Sequence, residues 1–193
     1  MGDFLYICFM NINQVNTAIL VGKISIVEGN CKKYWEIIWD LTKKEMINNN
    51  SGRVYLITSD EKIKKIGGSQ DKGGLVGTFS WYENNALNGR PSIRTYGTHM
   101  LISDELINGK DVRIYMINSE KVMASVKGLF GETIKLVNTD FKEMENICKQ
   151  DYKNICGKYP DWNFQENKNQ WPLNLSEGCN VINQRSTDNR KNK

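Results

Sequence analysis

The chain holds a single histidine, His99, in 193 residues. Its five cysteines (Cys8, Cys31, Cys148, Cys156 and Cys179) are widely spaced and include no C-x-x-C pair. Both shortages argue against a structural zinc site, which draws on Cys and His clustered at short spacings. An odd, scattered set of thiols also offers no disulfide framework, so reduced thiols of a cytoplasmic protein are expected. Long apolar runs are missing as well. Residues 4–10 are too few to span a bilayer. They have no basic segment before them and no small-residue cleavage site after them. Position six is Tyr6, where a myristoylation pattern needs Ser or Thr. The glycine-rich residues 67–74 lack the G-x-x-x-x-G-K-[ST] order of a phosphate loop. No internal repeat is present. A soluble protein is therefore expected, with no membrane partner and no nucleotide cofactor.

What the chain does have is a globular balance, 25% charged and 39% hydrophobic residues, in a length that supports one domain with a real core. A net charge of +4 permits nucleic-acid binding without demanding it. The first fifty residues read as an N-terminal extension that packs on the core. Within it, residues 18–27 suit a strand or a buried helix, and residues 34–46 suit a helix. In the latter, Trp35, Ile38, Trp39 and Met46 fall at helical spacing, which makes the tryptophans packing residues rather than a stacking platform. The core is expected over residues 51–175. Residues 176–193 turn polar and read as a mobile tail or a late docking segment.

The central feature is a hairpin. Two β-type runs, residues 54–58 and 62–66, flank the polar turn Ser59-Asp60-Glu61. Each run carries a polar group that a purely structural hairpin does not need, Tyr55 in one and Lys65 in the other. Further elements are expected as a short helix at 75–87, a helix at 99–108 stopped by Gly109 and strands at 112–117 and 121–126 around Asn118-Ser119. A strand at 133–137 and a helix at 140–156 follow. In that last helix Asp140 is the N-cap and Glu143 completes a capping box. Phe141, Met144, Cys148, Tyr152 and Ile155 form one apolar stripe, with Glu145 on its flank and Glu143 on the opposite side. A carboxylate at the edge of a buried stripe must be paired, bind a metal or snorkel to water.

The residues Val54-Tyr55-Leu56-Ile57 and Lys65-Ile66-Gly67 resemble the paired signature of the GIY-YIG nuclease family, G-[IV]-Y-x-I on one strand and [YK]-[IV]-G on the next. The order downstream also agrees: a helix, a basic stretch, a further strand, a glutamate-bearing helix and a late asparagine. The resemblance spans residues 52–166. With Gly89-Arg90-Pro91-Ser92-Ile93-Arg94-Thr95 behind the lysine variant of the second motif, it is most similar to the compact restriction endonucleases of that family. It implies an α/β fold with a small central, mostly antiparallel sheet flanked by helices. The implied activity is a Mg2+-dependent DNA endonuclease, one ion per site, a type II restriction enzyme acting as a homodimer on double-stranded DNA. The same fold admits a homing or repair nuclease, or a nucleic-acid-binding protein without turnover.

The resemblance also assigns roles. Tyr55 becomes the general base. Lys65 either lowers the phenol's pKa as a neighbouring cation or contacts phosphate. Glu145 becomes the Mg2+ ligand, with Glu143 the second choice. The family's arginine, about ten residues after the second motif, has no counterpart here. Thr78 falls at its position, and Tyr82 one turn later matches the family's tyrosine. Arg90 and Arg94 are the replacements, and Arg94 is preferred because Pro91-Ser92 can start a helix whose N-terminus attracts phosphate. Lys72, Arg90, Ser92, Arg94, Thr95, His99 and Asn163 complete the expected DNA contacts. His99 has a second reading as a helix-face residue with a local hydrogen bond. Asn163 is read as a support for the metal helix, beside a core Trp162.

Overall fold

The computed structural model describes residues 9–29, 34–118, 122–127, 133–138 and 141–191. Five strands form one sheet: β1 (Ile19–Ile26), β2 (Trp35–Trp39), β3 (Arg53–Ser59), β4 (Lys62–Ser69) and β5 (Val112–Asn118). Their spatial order is β2-β1-β5-β3-β4, and every neighbouring pair runs antiparallel. A short helix α1 (Lys44–Asn48) precedes β3, and α2 (Gly74–Glu83) and α3 (Ile93–Ile107) follow β4. The strands β6 (Val122–Lys127) and β7 (Thr133–Asn138) pair with each other in a separate ribbon. Two helices close the chain, α4 (Phe141–Cys156) and α5 (Leu173–Lys191). This is the α/β architecture expected, a small antiparallel sheet between helices.

Alternation along β3 sends its side chains into two cores. Tyr55 and Ile57 join Phe79 of α2 and Ile102 of α3 on one face, while Val54 and Leu56 join Ile63, Ile66 and Tyr152 of α4 on the other. Opposite them, β4 pairs Tyr55 with Gly67 and Ile57 with Lys65, then slips register so that Thr58 faces Ile63. The bulge spends Lys64 as the extra residue. It lets Ile63 and Ile66 share the α4 core although they are three residues apart, and Lys65 is left on the face of Tyr55.

Two expectations need correction. Residues 34–46 are not a helix: Trp35–Trp39 is a strand of the sheet, followed by a 3-10 turn at Leu41–Lys43 and the short α1. Trp35 is wholly buried and Ile37 and Trp39 half so, while Glu36 and Ile38 face out. Period-two alternation in an aromatic and β-branched run, paired along β1, outweighs the helical spacing that the same residues also satisfy. The first fifty residues thus supply two of the five strands rather than a segment laid on a finished core. At the other end, α5 docks on α3 through Leu175, Cys179 and Ile182 against Tyr96 and Trp171. The strands at 112–117 and 121–126 do exist, yet they lie in different sheets. Ser119 of the proposed turn, Lys121 at the start of the second strand and the N-cap Asp140 lie outside the described residues.

The hairpin turn is tight. Asp60 and Glu61 both take positive φ, 45° and 66°, the geometry whose twist suits a two-residue connection. The Asp60 carboxylate accepts from the Asp111 amide at 3.0 Å and from Lys110 at 2.7 Å, which holds this conformation without glycine.

β4 is the outer strand, and its free edge is covered by the chain after α4. The Trp162 amide donates to the Lys64 carbonyl at 2.9 Å. The Asn163 side chain accepts from the Ile66 amide at 3.0 Å and donates back to the Ile66 carbonyl at 2.9 Å. One primary amide thereby satisfies a donor and an acceptor that an edge strand leaves open.

Candidate active site

The site lies at the edge of β4, where Gly67 and Gly68 face opposite sides of the sheet. Tyr55 crosses over from β3 and its phenol lies so close to Gly67 that a Cβ there would overlap the ring. From the other side, Glu145 and Phe141 of α4 occupy the space that a Cβ on Gly68 would need. Two consecutive glycines therefore let a phenol and a carboxylate reach one strand edge from the two cores. Lys65, Arg94, Lys149, Gln165 and Glu166 line the cleft that opens there.

On the phenol side every group is fixed by burial. The Tyr55 and Tyr82 hydroxyls share a hydrogen bond of 2.8 Å, and both rings pack edge-on to Phe79. His99 is only 2% exposed, stacks on Trp35 and donates from Nδ1 to the Tyr82 carbonyl at 2.8 Å. Burial lowers its pKa, consistent with a neutral ring donating to a carbonyl. His99 is thus no surface DNA contact; it holds the turn of α2 that carries Tyr82.

The expected activation of Tyr55 by Lys65 runs the wrong way. Burial drives the Tyr55 pKa well above its ordinary 10, and Tyr82 and Glu145 push it further, with Arg94 the one opposing influence. Lys65, itself 5% exposed, is brought down to about 8 by burial and by repulsion from Arg94. In a site this dry, desolvation is the largest influence on both groups and disfavours the charged form of each.

Of the two candidate arginines, Arg94 lines the cleft and Arg90 does not. Ser92 caps α3 by accepting from the Thr95 amide at 3.1 Å, and this start sets Arg94 in the first turn, where its guanidinium bonds Gln165. Arg90 donates to Thr187 of α5 at 2.8 Å, away from the cleft. Thr78, at the family's arginine position, bonds the Ser69 hydroxyl. Lys72 is exposed in the turn before α2, and Thr95 bonds the Ser92 hydroxyl at 3.0 Å. Asn163 is 3% exposed and committed to β4, so it supports the strand rather than contacting DNA or ordering α4.

On the carboxylate side, Glu145 Oε1 accepts from Lys149 Nζ at 2.5 Å, and the same ammonium pairs with Glu166. Burial opposes charge on Lys149, but its bonds to the two carboxylates prevail and raise its pKa. The Lys149 bond likewise holds Glu166 low against the opposing effect of burial. Glu143, the alternative ligand, lies on the exposed side of α4, and Ile155 leaves the apolar stripe for solvent. Lys149 and Glu166 were not among the residues singled out from sequence. The Glu145-to-Lys149 spacing of four in a helix was the available signal; Glu166 had none. Among the described residues no group of three or more Cys, His, Asp or Glu side chains is placed to hold a metal. Glu145 still fits Mg2+, which takes one or two carboxylates and keeps several waters, because the absent Cβ of Gly68 leaves Oε2 at the strand edge. No described helix is long and apolar enough to cross a membrane.

No family model matches the chain, and no curated protein matches it. A mutant of bacteriophage T4 EndoII superposes with a TM-score of 0.57 at 15% identity, over 80% of this chain and 99% of that one. The restriction endonuclease HPY188I in complex with product DNA gives a TM-score of 0.41 at 20% identity, over 83% and 95% of the two chains. The fold of this chain is similar to that of the phage endonuclease.

Proposed function

We propose that the chain is a Mg2+-dependent DNA endonuclease of the GIY-YIG type. One observation carries this reading: the residues of the paired motif, a helix arginine and a helix glutamate from four separate elements meet at Gly67 and Gly68. The phage endonuclease whose fold it shares supports the class of activity.

The chemistry is hydrolysis of a phosphodiester by in-line attack of water. Arg94 holds the non-bridging oxygens and balances charge that builds on them. Tyr55, kept neutral and oriented by Tyr82 and Phe79, aims the attacking water. The water's proton goes to Lys65 in its neutral form, since a lysine near 8 is matched to the working pH and a phenol well above 10 is not. Glu145 would hold Mg2+, which supplies charge for the phosphate and the leaving oxygen. We extend this to a site-specific restriction enzyme acting as a homodimer on double-stranded DNA, its two-fold axis matching a palindromic site.

A second reading, a nucleic-acid-binding protein without turnover, is favoured by the pairing of Glu145 with Lys149. Supercoiled plasmid with and without Mg2+ separates them. The nuclease reading expects discrete fragments that disappear in Tyr55→Phe and Glu145→Ala. Binding with no cleavage supports the rival, nonspecific nicking a repair-type enzyme, and no DNA association at low salt overturns them all.

A further inference from the structure

We propose that Lys149 is a tethered cation standing where a divalent ion would bind, and that Glu166 is a second carboxylate of that site. The inference rests on the reading of Glu145 as a metal ligand and adds two residues to it. Lys149 is only 9% exposed, in a cleft also lined by Lys65 and Arg94. An ammonium is drawn into such a place only by strong opposite charge, and both Glu145 and Glu166 supply it.

The geometry matches a metal as well as an ammonium. Both carboxylate oxygens bond one nitrogen, so they lie no more than about 5 Å apart. Oxygens on opposite sides of a Mg2+ ion are about 4 Å apart. A small closing movement would therefore let the two glutamates share an ion once Lys149 leaves. The lysine has a long stem and a nearby anion to go to, because the same cleft is read as receiving a phosphate. Without metal the ammonium keeps two buried carboxylates from repelling one another. With metal and DNA it moves from the carboxylates to the phosphate. The three positions come from two pieces of chain: one turn of α4 sets Lys149 over Glu145, and the segment that seals β4 at Asn163 brings in Glu166 three residues later.

The test is Mn2+ binding by calorimetry to the full chain without DNA, with thermal melts in parallel. Wild type is expected to bind weakly. Lys149→Met should bind about tenfold or more tightly, melt lower without metal and gain more from Mn2+ than wild type does. Adding Glu166→Gln to Lys149→Met should reverse the gain in affinity. Unchanged or weaker binding in Lys149→Met, or a gain that survives Glu166→Gln, overturns the proposal. Should Lys149→Met not fold, Glu166→Gln alone decides: weaker Mn2+ binding supports the shared site, and unchanged binding overturns it. Cleavage of plasmid separates this inference from the reading beneath it. Expected Mn2+ behaviour with no cleavage defeats the nuclease alone, and cleavage with Mn2+ binding indifferent to Lys149 and Glu166 defeats the cation site alone.

Discussion

The two faces of β4 solve the same positioning problem by opposite means. At Gly67 the groups packed around the Tyr55 phenol are neutral: Tyr82 and Phe79 in ring contact, with His99 behind them. At Gly68 they are ionic: Glu145, Lys149 and Glu166 in one chain of charges. The neutral face has a single arrangement, since its hydroxyls are paired and its rings packed. The ionic face can give up its ammonium only to another cation, since the two part-buried carboxylates need opposite charge beside them. A rigid side can aim a reactant; an exchangeable side can take up and release a cation.

Four measurements would break or sharpen that contrast. The largest effects belong to the charged groups that flank the cleft: Glu145→Gln on the ionic face and Arg94→Ala on the side of Tyr55 should each reduce plasmid cleavage about 100- to 1000-fold. Melting temperature should move little, and a collapse of fold would show instead that these groups are structural. Next come the two glycines. Gly67→Ala places a methyl group in the Tyr55 ring and should cost about 1–3 kcal/mol of stability. Gly68→Ala meets the end of a movable glutamate and the edge of the Phe141 ring, so it should weaken Mn2+ binding and cost less stability than Gly67→Ala. Equal melting losses in both variants would erase the distinction between the faces.

The pH profile is a smaller effect. Lys65 sheds its proton as pH rises through about 8, so kcat should climb between pH 7 and 9 and level off above. Lys65→Arg should flatten that rise, and a fall across the same range would make the ammonium, not the amine, the working form. The least change is expected from Arg90→Ala. Its partner is Thr187 on α5, so cleavage should stay within about twofold and stability within about 0.5 kcal/mol, as at ordinary surface positions.

The neutral face was the more legible of the two in the sequence. A turn between β-type runs, a glycine pair after Lys65-Ile66 and a Pro-Ser helix start are local signals, and they placed Tyr55, Lys65, Gly67 and Arg94. What stayed hidden depends on the surroundings. Tyr55 has an ordinary pKa until the fold removes water from it, so its direction of shift could not be read from a neighbouring lysine. His99 on a helix gives no sign that it will face Trp35. Trp35 and Trp39 satisfy both periods, and only pairing along β1 selects the strand. Glu166 becomes part of the site because a loop folds back on β4, a contact between residues about a hundred positions apart.

That loop makes the cleft a kind of balance with its fulcrum at Asn163. The side chain standing in for a missing strand also sets the leash length of Glu166, and so the distance over which Lys149 is shared. Loosening the seam at Asn163 would let an acidic arm swing out of the cleft while Glu145 stayed behind on its helix. The mending of a sheet's border and the charge gathered in the cleft are, in this molecule, adjustments of a single joint.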